Sequence, residues 1–199
     1  MIVCIEGCIG VGKTSLVKKL ASEMDGHSIF EEFENNPFLK EFYHDPDQFA
    51  FHVQATFLFL QSKQFLKALA FEDGKNVFAD FHPVKSKIFS DIVIKNIADY
   101  GIIRQIYDRL FADVEEKVLI VYLKANTEVI LNRIRQRKDP FAAAISAAYI
   151  EKIINTYNSY FENYTFPFIT IDTNELDFEK NDADWRFVQQ QVIDAMNAI

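Results

Sequence analysis

Cysteine is nearly absent: the 199 residues contain two, Cys4 and Cys8, whose spacing matches neither a Cys-x-x-Cys redox pair nor a zinc-ligand set. A reduced, cytoplasmic setting is expected. Positive charge is also scarce, with 21 Lys and Arg against 29 Asp and Glu and a formal net charge of −8. That balance disfavours broad neutralisation of a phosphate backbone, so no nucleic-acid polymer is expected as partner. No stretch supplies the roughly 18 uninterrupted apolar residues of a membrane span. Met1-Ile-Val-Cys-Ile-Glu6 lacks the basic region that opens a secretion signal. No repeat or linker divides the chain, and with 49% apolar residues it is expected to bury one core as a single domain, residues 1–199.

Short apolar runs alternate with longer segments of helical period, which predicts an α/β fold: a five-stranded parallel sheet covered by helices. Strands are expected at Ile2–Glu6, Ser28–Glu31, Asn76–Asp80, Val118–Lys124 and Phe166–Asp172. Helices are expected at Lys13–Met24, Asp47–Phe71, Val84–Phe111, Thr127–Gln136, Ser146–Tyr160 and Asp182–Ile199, with Thr127 and Asp182 as N-caps. The long segment from Val84 should break in two near Asp99 to Gly101. The stretch Ala142-Ala-Ala-Ile-Ser-Ala-Ala148 follows a basic cluster and reads as a flap that closes over an anion.

Gly7-Cys-Ile-Gly-Val-Gly-Lys-Thr14 matches Gly-x-x-x-x-Gly-Lys-Ser/Thr, after an expected strand and at the start of an expected helix. Such a loop points successive N–H groups at phosphate oxygens while the helix adds its positive end. Gly7, Gly10, Val11, Gly12, Lys13, Thr14 and Ser15 are therefore expected to cradle a nucleoside triphosphate, most simply ATP. Lys13 would face the β and γ phosphates, and Thr14 with the strand-ending Asp80 would hold Mg²⁺. No Asn-Lys-x-Asp run reads guanine, which argues against a GTPase. Glu31, at the end of the second strand, stands where a carboxylate can orient an acceptor hydroxyl and take its proton, whereas Glu34 and Glu32 suit a solvated turn.

With these residues in place the chain resembles the deoxyribonucleoside kinase family, in particular its bacterial deoxyadenosine and deoxyguanosine kinases, over nearly its whole length. Glu31-Glu-Phe-Glu-Asn-Asn-Pro37 looks like the family's Glu-Pro-Val-x-x-Asn-Pro, with Glu31 on the catalytic glutamate and Glu32 in place of the proline. Phe42-Tyr-His-Asp-Pro-Asp-Gln-Phe-Ala-Phe-His-Val-Gln54 is similar to the segment whose tyrosine meets the sugar and whose glutamine pairs with the base, roles that fall on Tyr43 and Gln54. The resemblance also implies that Asp177 and Phe178 lie on the loop holding the donor adenine, that Arg133 and Arg137 act catalytically in a lid at about 133–145, and that the protein is a homodimer. Phe51, Phe81 and Phe89 are expected to wall the nucleoside pocket by stacking. His52, His82 and Trp185 read as structural.

Two departures stand out. The family's lid usually reads Arg-x-x-x-Arg-x-Arg, but Asp139 takes the third place here and Lys138 precedes it. The family's third strand usually ends in Glu-Arg-Ser or Asp-Arg-Ser, but this chain has Asp80-Phe-His82, leaving Lys85 one helical turn onward to supply the missing charge at the reacting hydroxyl. Ser86 occupies the place of a base-contacting aspartate. The resulting expectation is ATP-dependent phosphorylation of a deoxyribonucleoside, a purine and first of all deoxyadenosine, at its 5′-hydroxyl. A nucleoside monophosphate kinase is the nearest alternative, disfavoured because Lys40 is the sole cation between Glu31 and Gln54. An inert nucleotide-binding module is the alternative of another class.

Overall fold

The run Ile2–Gly7 forms strand β1, and every residue in it is buried, as a central parallel strand with helices on both faces requires. The computed structural model describes residues 1–112, 114, 118–136 and 145–199. Strand β1 lies between β3 (Val77–Ala79) and β4 (Val118–Lys124), while β2 (His27–Ile29) and β5 (Phe168–Asp172) complete an all-parallel sheet in the order β2-β3-β1-β4-β5. Cys4 pairs with Ala79, so the carboxyl ends of β1 and β3 open side by side, where parallel sheets collect ligands.

The helices are α1 (Lys13–Glu23), α2 (Leu39–His44), α3 (Pro46–Leu69), α4 (Val84–Val93), α5 (Ile97–Phe111), α6 (Thr127–Gln136), α7 (Ala147–Glu162) and α8 (Asp182–Asn197). Sequence periodicity misses α2, because the break before α3 is local chemistry: Asp45 leaves helical geometry, accepts from the Gln48 N–H at 3.1 Å, and Pro46 opens the next helix. The long segment does split, but at residues 94–96, a few residues before the expected break at Asp99 to Gly101. Asn96 is the cause, since its side chain accepts from the N–H groups of Ala98 and Asp99, while Gly101 sits inside α5 with open space around it. Two expected caps are also one residue out. Asn126 accepts from the Val129 N–H at the start of α6, and Asn181 caps α8 in place of Asp182.

One apolar cluster fills both faces of the sheet, and a smaller one of Leu58, Ile103, Tyr107 and Phe111 joins α3 to α5. Among the described residues no helix is long and apolar enough to cross a membrane. The turn out of β1 needs glycine at its first position: Gly7 has φ 142°, and a Cβ there would stand 2.5 Å from the Leu123 carbonyl oxygen of β4. Of the expected flap, residues 142–144 lie outside the described residues, as does most of the expected lid, while Ala147 and Ala148 open α7.

Candidate active site

Between β1 and α1 the chain curls around Gly10 and Gly12, both at positive φ, and α1 begins at Lys13. The Lys13 ammonium donates to the carbonyls of Gly7 at 2.9 Å and Cys8 at 3.1 Å, so the loop is closed on its own lysine. Burial, with the nearby Lys85 charge adding to it, holds the Lys13 pKa below its ordinary value. Beneath the loop the Glu6 carboxylate is fully buried and accepts from the Gly7 N–H at 3.1 Å, the Tyr157 hydroxyl at 2.9 Å and the His82 N–H. Desolvation raises its pKa, opposed by the charges of Lys13 and Lys85.

Asp80, one residue beyond β3, joins the phosphate loop to the acceptor segment. Its Oδ2 accepts from the Thr14 hydroxyl at 2.6 Å and its Oδ1 from the Glu31 backbone N–H at 2.7 Å. The described residues contain no group of three or more His, Cys, Asp or Glu side chains arranged to hold a metal. Thr14 and Asp80 instead offer the sparse pair of hard oxygens that suits Mg²⁺ when phosphates and water complete its shell.

The Glu31 side chain, 10% exposed, ends in a carboxylate held from both sides. Its Oε1 accepts from the Gln61 amide at 2.9 Å, and its Oε2 forms an ion pair with Lys85. Burial alone would raise the Glu31 pKa, but the charge and hydrogen bond of Lys85, with Gln61 and Lys13, bring it below the ordinary carboxylate value. Burial also pulls on Lys85, and Glu31 and Glu6 more than offset it. The cation paired with Glu31 comes from the first turn of α4.

Glu31, Lys13, Thr14, Asp80 and Lys85 border one cleft of about 270 Å³. Its far wall is aromatic, formed by Phe33, Phe42, Tyr43, Phe57, Phe89 and Tyr149. Gln54 also faces into it, 4% exposed, and among the described residues its carboxamide has no hydrogen-bond partner. Phe51 and Phe81 do not line the cleft. Phe51 packs against the smaller α3–α5 cluster, and Phe81 is fully buried edge-on to Phe65, because α3 turns residue 51 away from the cleft and residue 81 points into the core. Phe89 and Tyr43 line the cleft as expected, and Phe33, Phe42, Phe57 and Tyr149 complete its aromatic wall without any sign of it in their spacing.

A second cleft of about 480 Å³ opens on the other side of the phosphate loop, bordered by Gly12, Ser15, Arg133, Asp177 and Phe178 among others. Phe178 covers Gly12 closely enough that a Cβ there would lie 3.0 Å from its ring. Arg133 is placed here, away from Glu31. Its guanidinium donates to the Val11 carbonyl at 3.0 Å, to the Thr173 hydroxyl and carbonyl, and to the Leu176 carbonyl, tying the phosphate loop to the turn after β5. Arg137 lies outside the described residues. The structural readings of the remaining residues agree with their places: His82 and Trp185 are buried, and His52 packs its ring against Phe38 and Phe49.

Sequence reasoning passed over Gln61 and Gln64. Both are almost fully buried on α3, at offsets of seven and ten from Gln54, and amides recurring on an apolar helix face were the available signal.

A model of the deoxynucleoside kinase family matches residues 3–197. The deoxyguanosine kinase of Bacillus subtilis (strain 168) is 30% identical over 204 aligned residues, which cover 96% of this chain and 95% of that protein. The deoxyadenosine/deoxycytidine kinase of the same strain is 29% identical, over 82% of this chain and 77% of that protein. A solved structure of deoxyadenosine kinase from M. mycoides with bound dATP superposes with a TM-score of 0.80 at 23% identity, over 96% of this chain and 98% of that one. At that identity the superposition speaks for the fold.

Proposed function

The chain belongs to the deoxynucleoside kinase family, and from that premise we propose that it moves the γ-phosphoryl group of ATP to the 5′-hydroxyl of a purine deoxyribonucleoside, deoxyadenosine before others. The observation that carries this reading is the joint occupation of one cleft by Lys13, the paired carboxylate of Glu31 and the amide of Gln54. The first serves phosphate, the second a hydroxyl, and the third a base edge. Among the described residues bordering that cleft the cations are Lys13 and Lys85, both near the phosphate loop and Glu31, which supports an uncharged acceptor over a monophosphate.

In this mechanism the Glu31 carboxylate accepts a hydrogen bond from the 5′-hydroxyl, orients it toward the γ-phosphorus and takes its proton as the new P–O bond forms and the bond to the β-phosphate oxygen breaks. Lys13 leaves the Gly7 and Cys8 carbonyls for the β and γ phosphates. Lys85 keeps Glu31 ionised and adds positive charge where the transferring group gathers negative charge. Magnesium held by Thr14 and Asp80 would supply charge neutralisation on the phosphates. Tyr43 meets the sugar, and the second cleft, with Ser15, Asp177 and Phe178, takes the donor base. Arg133 acts by bracing that cleft, and Arg137 by contacting phosphate. The free, buried Cys4 and Cys8 suit a reduced cytoplasm. Exposed Phe59, Leu66 and Ile102 on α3 and α5 suit a homodimer, which sedimentation velocity reads directly.

Measuring ATP consumption against a panel of deoxyribonucleosides and their monophosphates tests the reading. Turnover with deoxyadenosine, giving its 5′-monophosphate, is expected. Turnover with monophosphates alone, or with no member of the panel, would reject it. In the same assay Gln54→Leu is expected to raise the KM for deoxyadenosine by about 10- to 100-fold, since it removes two directional contacts to the base. The KM for ATP should stay as it was, and an unchanged nucleoside KM would remove Gln54 from base recognition.

A further inference from the structure

Helix α3 turns three glutamines into the protein, at 54, 61 and 64, which are 4%, 1% and 2% exposed. A buried carboxamide is costly unless its donor and acceptor both find partners, so each needs a physical reason. Gln64 holds backbone: its amide donates to the Phe30 carbonyl and its oxygen accepts from the Glu32 N–H at 3.5 Å. Gln61 instead holds a side chain. Its Nε2 donates to Glu31 Oε1 at 2.9 Å, and its Oε1 accepts from the Ser86 hydroxyl, also at 2.9 Å.

The order of these bonds matters. A carboxamide presents a donor end and an acceptor end, and only the donor end can face a carboxylate. Because Ser86, on α4, donates to Gln61 Oε1, the amide cannot turn over without losing that bond and setting an oxygen against Glu31. Residues 30–32 follow β2 and belong to neither helix nor strand; the Glu31 N–H is held by Asp80, and the orientation of its carboxylate is set by side-chain partners. Lys85 draws Oε2 to one side, and Gln61 is what fixes the other oxygen. Each oxygen then keeps one lone-pair direction for an incoming hydroxyl.

We infer that Gln61, set in orientation by Ser86, is a positioning residue that locks the plane of the Glu31 carboxylate toward the acceptor hydroxyl. The inference rests on the proposed role of Glu31 as base. It assigns Ser86 a part at the catalytic carboxylate rather than at the nucleoside base.

The test is a set of steady-state measurements on the full chain. Gln61→Met keeps the length and removes both hydrogen bonds. It is expected to lower kcat by about 10- to 100-fold while the KM values for ATP and deoxynucleoside stay within about threefold, because misorientation of a reacting group costs rate more than binding. Ser86→Ala should lower kcat less, and the double variant should be no slower than Gln61→Met, since Ser86 acts through Gln61. In a Glu31→Gln background neither change should reduce the residual rate further. If Gln61→Met fails to fold, Ser86→Ala measured with and without Glu31→Gln decides the same point. A wild-type kcat in Gln61→Met, a raised nucleoside KM as its main effect, or losses that multiply with Glu31→Gln would overturn the inference. Absence of deoxynucleoside phosphorylation by the wild type, or full activity of Glu31→Gln alone, would instead overturn the functional reading on which it stands.

Discussion

Glu31→Gln lowers turnover of the deoxynucleoside by about 10²–10⁴-fold, the usual worth of a positioned general base, while ATP still binds. The substitution keeps the shape of the side chain and the contact of the residue's N–H with Asp80, which belongs to the backbone. It removes the group that can accept a proton. Lys85 loses its ion-pair partner in this variant, but the charges of Glu6 and Asp80 still favour its ammonium form. The measurement is kcat together with the thermal shift given by ATP: a retained shift with lost turnover is expected. Near-wild-type turnover would remove Glu31 from the chemistry and transfer attention to Glu32, which is bonded to Asn35 and paired with Lys67 at the surface.

Lys85→Met carries the second large effect, a fall in kcat/KM of about 10²–10³-fold, comparable to losing one donor that stabilises charge in the transition state. The same substitution strips Glu31 of the partner that keeps its pKa low, so the carboxylate becomes costlier to hold ionised in its buried place. Lys85→Arg is expected to recover part of the loss, because charge and hydrogen bonding return with altered reach. If Lys85→Ala left turnover and both Michaelis constants at wild-type values, the replacement of the third-strand arginine by a lysine from α4 would have no functional meaning.

The phosphate loop was legible because its chemistry is contiguous: eight consecutive residues dictate a backbone curl, and the strand before and helix after them supply its context. Glu31 was legible as an acid near the end of the second strand, although β2 stops at Ile29, two residues short of the expected end, and Lys85 as the cation one turn from a missing arginine. The aromatic wall was legible only in part, at Tyr43 and Phe89. Phe51 and Phe81 lie close in sequence to site residues, yet one belongs to the packing of α3 on α5 and the other to the main core, while Phe33, Phe57 and Tyr149 reach the cleft. Arg133 shows a similar limit. The resemblance places it in a lid that acts on phosphate, but its guanidinium is occupied by carbonyls of Val11, Thr173 and Leu176.

Local patterns of apolar residues and one glycine-rich run were thus enough to determine an α/β architecture and to point to a candidate phosphate loop and a candidate acid beside it, because each depends on neighbours a few positions apart. The state of that acid depends on side chains arriving from α3, from α4 and from the end of β3, as much as 54 residues away in the chain. Hydrogen bonds and ion pairs act over a few ångströms with strict direction, and folding alone brings such distant groups within that range.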